Sequence, residues 1–171
     1  MKLNRINKMA LAALVLAMAL PALAGSPDRA VDRLYEAYNA RSVEGMLAIY
    51  DDEAVFEDVN QRHEVAGSEA LHGMLARLAG AHHEMRIEEK RRMVHENLVV
   101  VEYDYVGKLN GKVLGAAIGS DSCPDLEYVL PATSWYEVAS DRIVHQRDFI
   151  DYATYIELQK KMQAAAAGDS H

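Results

Sequence analysis

One cysteine, Cys123, stands in the 171 residues. No disulfide can close within the chain, so the fold must be held by packing alone. Cys123 adjoins Pro124 in a polar stretch with no neighbour that would activate a thiol, which reads as an incidental loop residue. Positive charge is also scarce, with 18 Lys and Arg against 26 Asp and Glu and a formal net charge of -8. An acidic surface repels phosphate backbones and anionic headgroups, which excludes nucleic acid and membrane surfaces as expected partners. The sequence has no glycine-rich phosphate loop, no Gly-x-Ser-x-Gly and no Cys–His pairing. His63, His72, His82, His83, His95 and His145 show neither His-x-His nor His-x-x-x-His spacing. No metal is therefore expected.

What basic charge there is gathers at the start. Lys2, Arg5 and Lys8 precede an uncharged run from Met9 to Leu20, Pro21 breaks that run, and Ala22-Leu23-Ala24 places small residues where a signal peptidase reads. Residues 1–24 are expected to be a signal peptide, cleaved before Gly25. The run is shorter than the roughly 20 residues that span a bilayer, so no membrane insertion is expected after processing. Loss of the leader removes three positive charges and takes the net charge from -8 to -11. The product would be periplasmic or secreted. Soluble nicotinamide and nucleotide cofactors are scarce there, so no cofactor is expected.

The remainder reads as a single domain over residues 25–163, with 164–171 as a flexible tail. Ser26-Pro27-Asp28 has the form of a helix start, and Val31, Leu34, Tyr35 and Tyr38 follow at helical spacing. Ser42 opens a second short helix. A short strand is predicted from Ala54 to Val59, then a helix from Gly67-Ser68 that Gly80 ends. The period then turns to that of strands. Strands are predicted over residues 83–94, 98–106, 128–138 and 142–150, with a Gly- and Ser-containing connection from Gly107 to Asp125. Asp151 can cap a closing helix that runs to about Met162. This order is α+β, with helices on one side of an antiparallel, strongly curved sheet.

Residues 98–106 carry the most information. Leu98, Val100, Glu102, Asp104 and Val106 share one face, and Val99, Val101, Tyr103 and Tyr105 the other. If the first face meets the helices, the second is an exposed apolar stripe that a homodimer would bury. Glu102 and Asp104 would then project inward about 7 Å apart, twice the strand rise. On the next strand but one, Val144, Gln146, Asp148 and Ile150 share a face, and Asp58 closes the first short strand beside Phe56. Carboxyls that converge on one cavity raise each other's pKa, so one can serve as acid while another serves as base. The alternative is that these acids bond tyrosines and backbone, or face solvent. Tyr38, Trp135 and Tyr136 read as core or pocket wall.

The stretches YNARSVEGMLAIYDDEAVFEDV, VAGSEALHGML and DRIVHQRDFIDYATY resemble the nuclear transport factor 2-like superfamily, within it the branch of SnoaL-like polyketide cyclases, limonene-epoxide hydrolases and ketosteroid isomerases. The resemblance implies a cystatin-like cone, a curved sheet wrapped on N-terminal helices around a deep pocket, often dimeric through the outer sheet face. It places Asp58 where the isomerases hold their general base. Leu34 then stands at the isomerase tyrosine position and the protonated aspartate falls near Thr133, so both oxyanion donors of steroid isomerisation are missing. Asp104 and Asp148 resemble the two aspartates of the epoxide hydrolases, with Glu102 at the arginine position. Asp148 also matches the acid that the polyketide cyclases use.

The expected function is an exported pocket protein for a small apolar molecule, with acid–base chemistry of isomerase, cyclase or hydrolase type. Asp148, Asp104 and Asp58 are the candidate catalytic residues. Glu102, Tyr38, Phe56, Trp135 and Tyr136 are the candidates for substrate binding. The competing expectation is a non-catalytic ligand-binding or protein-interaction module, because folds are reused without their chemistry.

Overall fold

Pro27 at the first helical position and Asp28 in the first turn start α1 (Pro27–Asn39), as the sequence predicts. Ser26 bonds the Asp28 side chain and leaves the helix amides uncapped. One stripe of α1, Ala30, Val31, Leu34, Tyr35 and Tyr38, is buried. Helix α2 (Val43–Leu47) is capped by Ser42, whose Oγ accepts the Gly45 amide at 3.0 Å. The computed structural model describes residues 26–118 and 123–168. The expected leader, residues 1–24, lies outside the described residues.

Strand β1 (Tyr50–Asp58) turns back into β2 (His63–Ala66), and Gly67, at φ 81°, leads into α3 (Ser68–Gly80). Strands β3 (His82–His95) and β4 (Leu98–Leu109) form a long hairpin, with Glu96 in the left-handed region at φ 52°. Helix α4 (Gly111–Ile118) precedes β5 (Leu126–Ala139). Ser140 and Asp141, at φ 51° and 63°, make the two-residue turn into β6 (Arg142–Ile150), and both left-handed values match the turn that twisted hairpins favour. Helix α5 (Tyr152–Gly168) closes the chain. Among the described residues no helix is long and apolar enough to cross a membrane.

The six strands form one curved, open sheet in the order β2-β1-β6-β5-β4-β3. Every neighbouring pair is antiparallel except β1 and β6, which run parallel. Leu34 of α1, Met46 of α2 and Leu71 and Leu75 of α3 pack with Val99, Val101, Tyr103, Tyr136 and Ile143 of the concave face into the core. At Gly107 the strands come so close that a Cβ would stand 2.5 Å from the Glu84 carbonyl oxygen, which requires glycine there.

Strand ends shift, with β1 starting at Tyr50 instead of Ala54 and β4 running on to Leu109, and three differences are larger. Strand β2 is four residues long and mostly exposed, too short and too polar to carry a period; its pairing with β1 defines it. The predicted connection over 107–125 contains α4, because the apolar residues between Gly111 and Ile118 outweigh the two glycines among them. Helix α5 continues past Met162 to Gly168 through four consecutive alanines, the best helix formers.

The largest difference concerns β4. Val99, Val101 and Tyr103 are fully buried, so the face expected to be an outer stripe is the core face. It lies under the helices and is not open to a second subunit. Glu102 and Asp104 point the other way, Glu102 exposed and Asp104 ion-paired with Lys90 on β3 at 2.5 Å. Desolvating two carboxylates costs more than leaving Leu98, Val100 and Val106 half-buried, and that difference selects the facing.

Candidate functional site

Between the concave sheet face, α3 and α5 lies a cavity of about 390 Å³. Met74, Leu75 and Leu78 of α3 and Leu130 and Ile150 of the sheet give it an apolar wall, and Leu158 and Gln159 bring α5 to its lining. Tyr38, Tyr50, Tyr105 and Tyr128 add rings with hydroxyls, and Asp58, Gln61, His63, His82, Gln146 and Asp148 supply the remaining polar groups. Among the described lining residues there is no lysine or arginine.

Asp148 is the buried centre of this wall, 2% exposed. Its Oδ1 accepts from the Ser134 hydroxyl at 2.5 Å and from Gln146 Nε2 at 2.8 Å. Its Oδ2 accepts from the Tyr105 hydroxyl at 3.3 Å. Each inner donor is itself held from behind. The Tyr50 hydroxyl donates to Gln146 Oε1, which turns the amide NH2 toward Asp148. Tyr103 lies 2.7 Å from Ser134 Oγ and donates to it, since the serine proton is committed to Asp148. Oδ1 is thereby saturated by two donors, while Oδ2 keeps a lone pair for the cavity.

Burial, opposed by the bonds from Ser134, Gln146 and Tyr105 and assisted by the nearby Asp58 carboxylate, holds Asp148 at about 6, up from 3.8. Burial, and then the negative charge of Asp148, pushes Tyr105 well above the ordinary phenol range. Burial alone takes Tyr128 to about 12, and burial lowers His82, whose Nδ1 lies 2.6 Å from the Leu78 carbonyl. The wall thus holds one carboxyl poised near neutrality among hydroxyls that stay protonated.

Asp58 is the second carboxylate. It pairs in register with Asp148 across the parallel β1–β6 ladder, so the two side chains leave the same sheet face about 4.8 Å apart at the backbone. Gln61 holds it with its backbone amide on Oδ1 at 3.0 Å and its side-chain amide on Oδ2 at 2.7 Å.

The structure therefore brings Asp58, Asp148, Tyr38 and Phe56 together on one cavity. Asp104 and Glu102 stand on the opposite face of the sheet, so the expected convergence of all these acids is corrected: the inward positions of β4 belong to Tyr103 and Tyr105. Trp135 is likewise on the outer face, 40% exposed and packed on Phe149. Tyr136 is core, 1% exposed, in edge contact with Tyr35 and away from the cavity lining. On β6 a register shift at Glu137/Val138 pairs Ile143 where Val144 was expected, and Gln146, Asp148 and Ile150 remain on the cavity side. Sequence reasoning missed Ser134, Tyr105 and Tyr50. The alternation Val99-x-Val101-x-Tyr103-x-Tyr105 is the signal that could have found Tyr105. Among the described residues no group of three or more His, Cys, Asp or Glu side chains is arranged to hold a metal ion.

Comparison with known proteins agrees with this architecture. The family model described as a SnoaL-like domain matches residues 31–146. The chain belongs to the SnoaL-like family. Among solved structures it is similar to a protein from Shewanella denitrificans provisionally named a SnoaL-like polyketide cyclase. That match has a TM-score of 0.69 at 16% identity and covers 79% of this chain and 97% of the other. A similarly named protein from Shewanella putrefaciens gives 0.68 at 17%, with 79% and 96% covered. A protein of ketosteroid-isomerase-like fold from Catenulispora acidiphila, in complex with trimethylamine, gives 0.62 at 13%, with 84% and 95% covered. Comparison with curated proteins found no match.

Proposed function

We propose that this is an exported protein that binds a small, largely apolar molecule and performs acid–base chemistry on it through Asp148, without a cofactor. The observation that carries the reading is a single fully buried carboxyl, poised at about 6, on the wall of a mostly apolar cavity. A group near neutrality exchanges a proton in either direction at low cost, which is what isomerase, cyclase and hydrolase chemistry of this kind requires. In this reading Asp148 takes or gives the proton at Oδ2, Tyr105 steadies the oxygen that changes charge, and burial, with a smaller push from Asp58, keeps the Asp148 carboxyl raised. The trimethylamine held by the Catenulispora protein supports a small organic molecule as the kind of occupant. Export rests on the basic and apolar leader of residues 1–24.

A homodimer through the outer sheet face belongs to the same proposal. Met93, Val100 and Trp135 lie in cross-strand register on that face, and Met93 and Trp135 are 61% and 40% exposed. An apolar row of this kind across a sheet is a surface that association buries.

Native mass spectrometry of the purified protein identifies a retained molecule, and turnover of that molecule is then compared between the wild type and Asp148→Asn. Loss of turnover with retained binding is the expected result. Unchanged turnover in the variant refutes the role of Asp148, and binding without turnover in either protein favours the non-catalytic module.

A further inference from the structure

The cavity carries two carboxyl groups and, among the described residues that line it, no basic residue except histidine. His82 is buried and held toward its neutral form, and its Nδ1 is engaged with the Leu78 carbonyl. Every donor that reaches Asp148 is neutral: a serine hydroxyl, a primary amide and a phenol. The ionised form of Asp148 therefore sits in a dry wall with dipoles around it and no counter-charge. Asp58, in register beside it, adds to the same negative field, and both of its oxygens are engaged by Gln61. The open position in this arrangement is the free lone pair of Asp148 Oδ2. It adjoins Tyr105, whose ring packs 5.9 Å from that of Tyr38.

We infer that the cavity selects organic cations, an amine or ammonium group on a small apolar body, with the nitrogen meeting Asp148 Oδ2 and the body lying against the tyrosines and the α3 leucines. This deepens the proposed function and rests on its assignment of the cavity as the binding site. A protonated amine supplies both things that Oδ2 lacks, a donor and a positive charge. Aromatic rings facing it add attraction through their negative faces. A neutral alcohol of the same shape supplies only the donor. A carboxylate adds a third negative charge to a site whose described lining holds no lysine or arginine, and whose one further histidine, His63, stands opposite Asp58 on β2, so it is disfavoured. With an ammonium in place Asp148 stays ionised, and the open lone pair of Oδ2 is taken up by the N–H donor.

The test uses three probes of one shape: cyclohexylmethylamine, cyclohexylmethanol and cyclohexanecarboxylate. Each is titrated at pH 7.5 into the full protein, with protein-observed NMR reporting shifts of the cavity residues. The amine is expected to bind at least about tenfold more tightly than the alcohol, and the carboxylate is expected to leave the cavity unshifted. In Asp148→Asn the amine should lose its advantage over the alcohol, and alcohol-induced shifts of the variant's cavity residues show the cavity intact. The wild-type comparison decides the matter even if the variant fails to fold.

An alcohol that binds as well as the amine overturns the cation selectivity and leaves the apolar pocket standing. An amine advantage that survives in the variant overturns the assignment to Asp148. If none of the three shifts a cavity residue, the inference falls together with the reading of the cavity as the site.

Discussion

Replacing Asp148 by asparagine should make the stability of the protein less dependent on pH, with a sign fixed by the burial of the carboxyl. The group is 2% exposed and is held at about 6 against an ordinary 3.8. A carboxyl raised in the folded state favours folding in its protonated form. That contribution is fully present below about 3.8 and is lost as the pH rises through about 6. At 1.36 kcal/mol per unit, a difference of about two units corresponds to about 3 kcal/mol by neutral pH. Asparagine has nearly the same shape, keeps one oxygen to accept from Ser134 and Gln146, and carries no charge. The unfolding free energy of the variant minus that of the wild type should therefore climb by about 3 kcal/mol from pH 3 to pH 7.5, whatever its offset at pH 3. Urea denaturation followed by circular dichroism at half-unit steps of pH measures it, and the titrations common to both proteins largely cancel in the difference. A flat difference, or one that falls as pH rises, refutes the account of a buried carboxyl without a counter-charge.

Three other outcomes follow from the same structure. Ser134→Ala removes one donor to ionised Asp148; a bond to a charged group is worth about 1.5–3 kcal/mol, so the Asp148 carboxyl should titrate about one to two units higher. Carbon-13 NMR of the aspartate carboxyls reads this, and an unmoved titration contradicts the network. Leu71→Ala empties a fully buried site between α3 and the sheet and should cost about 2–5 kcal/mol in urea denaturation; a loss below about 1 kcal/mol would mean that α3 does not pack as described. Trp135→Glu should convert a dimer to a folded monomer in light scattering, with thermal unfolding of the monomer little changed. A wild type that is already monomeric refutes the outer-face dimer.

The parts of the fold that could be read from the sequence are those where a period or a turn residue acts alone. Val31, Leu34, Tyr35 and Tyr38 mark α1, and Ser140-Asp141 marks a hairpin, because local sterics set both. Facing was harder. On β4 both faces are rich in apolar residues, and alternation defines two faces without saying which one meets the helices. Ranking the faces by the cost of burying Glu102 and Asp104 would have chosen correctly. The site was legible at Asp148 and Asp58, which stand among apolar neighbours on their own strands. It was illegible at Ser134, which has no pattern of its own and matters only because β5 lies beside β6 in the register Ser134–Asp148. Strand β2 and helix α4 escaped for a related reason: one is defined by its pairing partner, and the other contains the residues that ordinarily mark loops.

The parallel pairing of β1 and β6 also bears on how the chain reaches its final state. Asp58 and Asp148 belong to distant parts of the sequence, as do Glu57 and Arg147, which form an ion pair across the same ladder at a separation of 90 residues. Contacts of such span close late, after the loop entropy between them has been lost. The hairpin of β3 and β4 can form while the chain is still open, whereas the carboxylate pair exists only once the final strand has docked beside the first. A chain caught short of that step has most of its sheet but not the paired carboxyls of the cavity wall, so the appearance of ligand binding during refolding should coincide with the last kinetic phase.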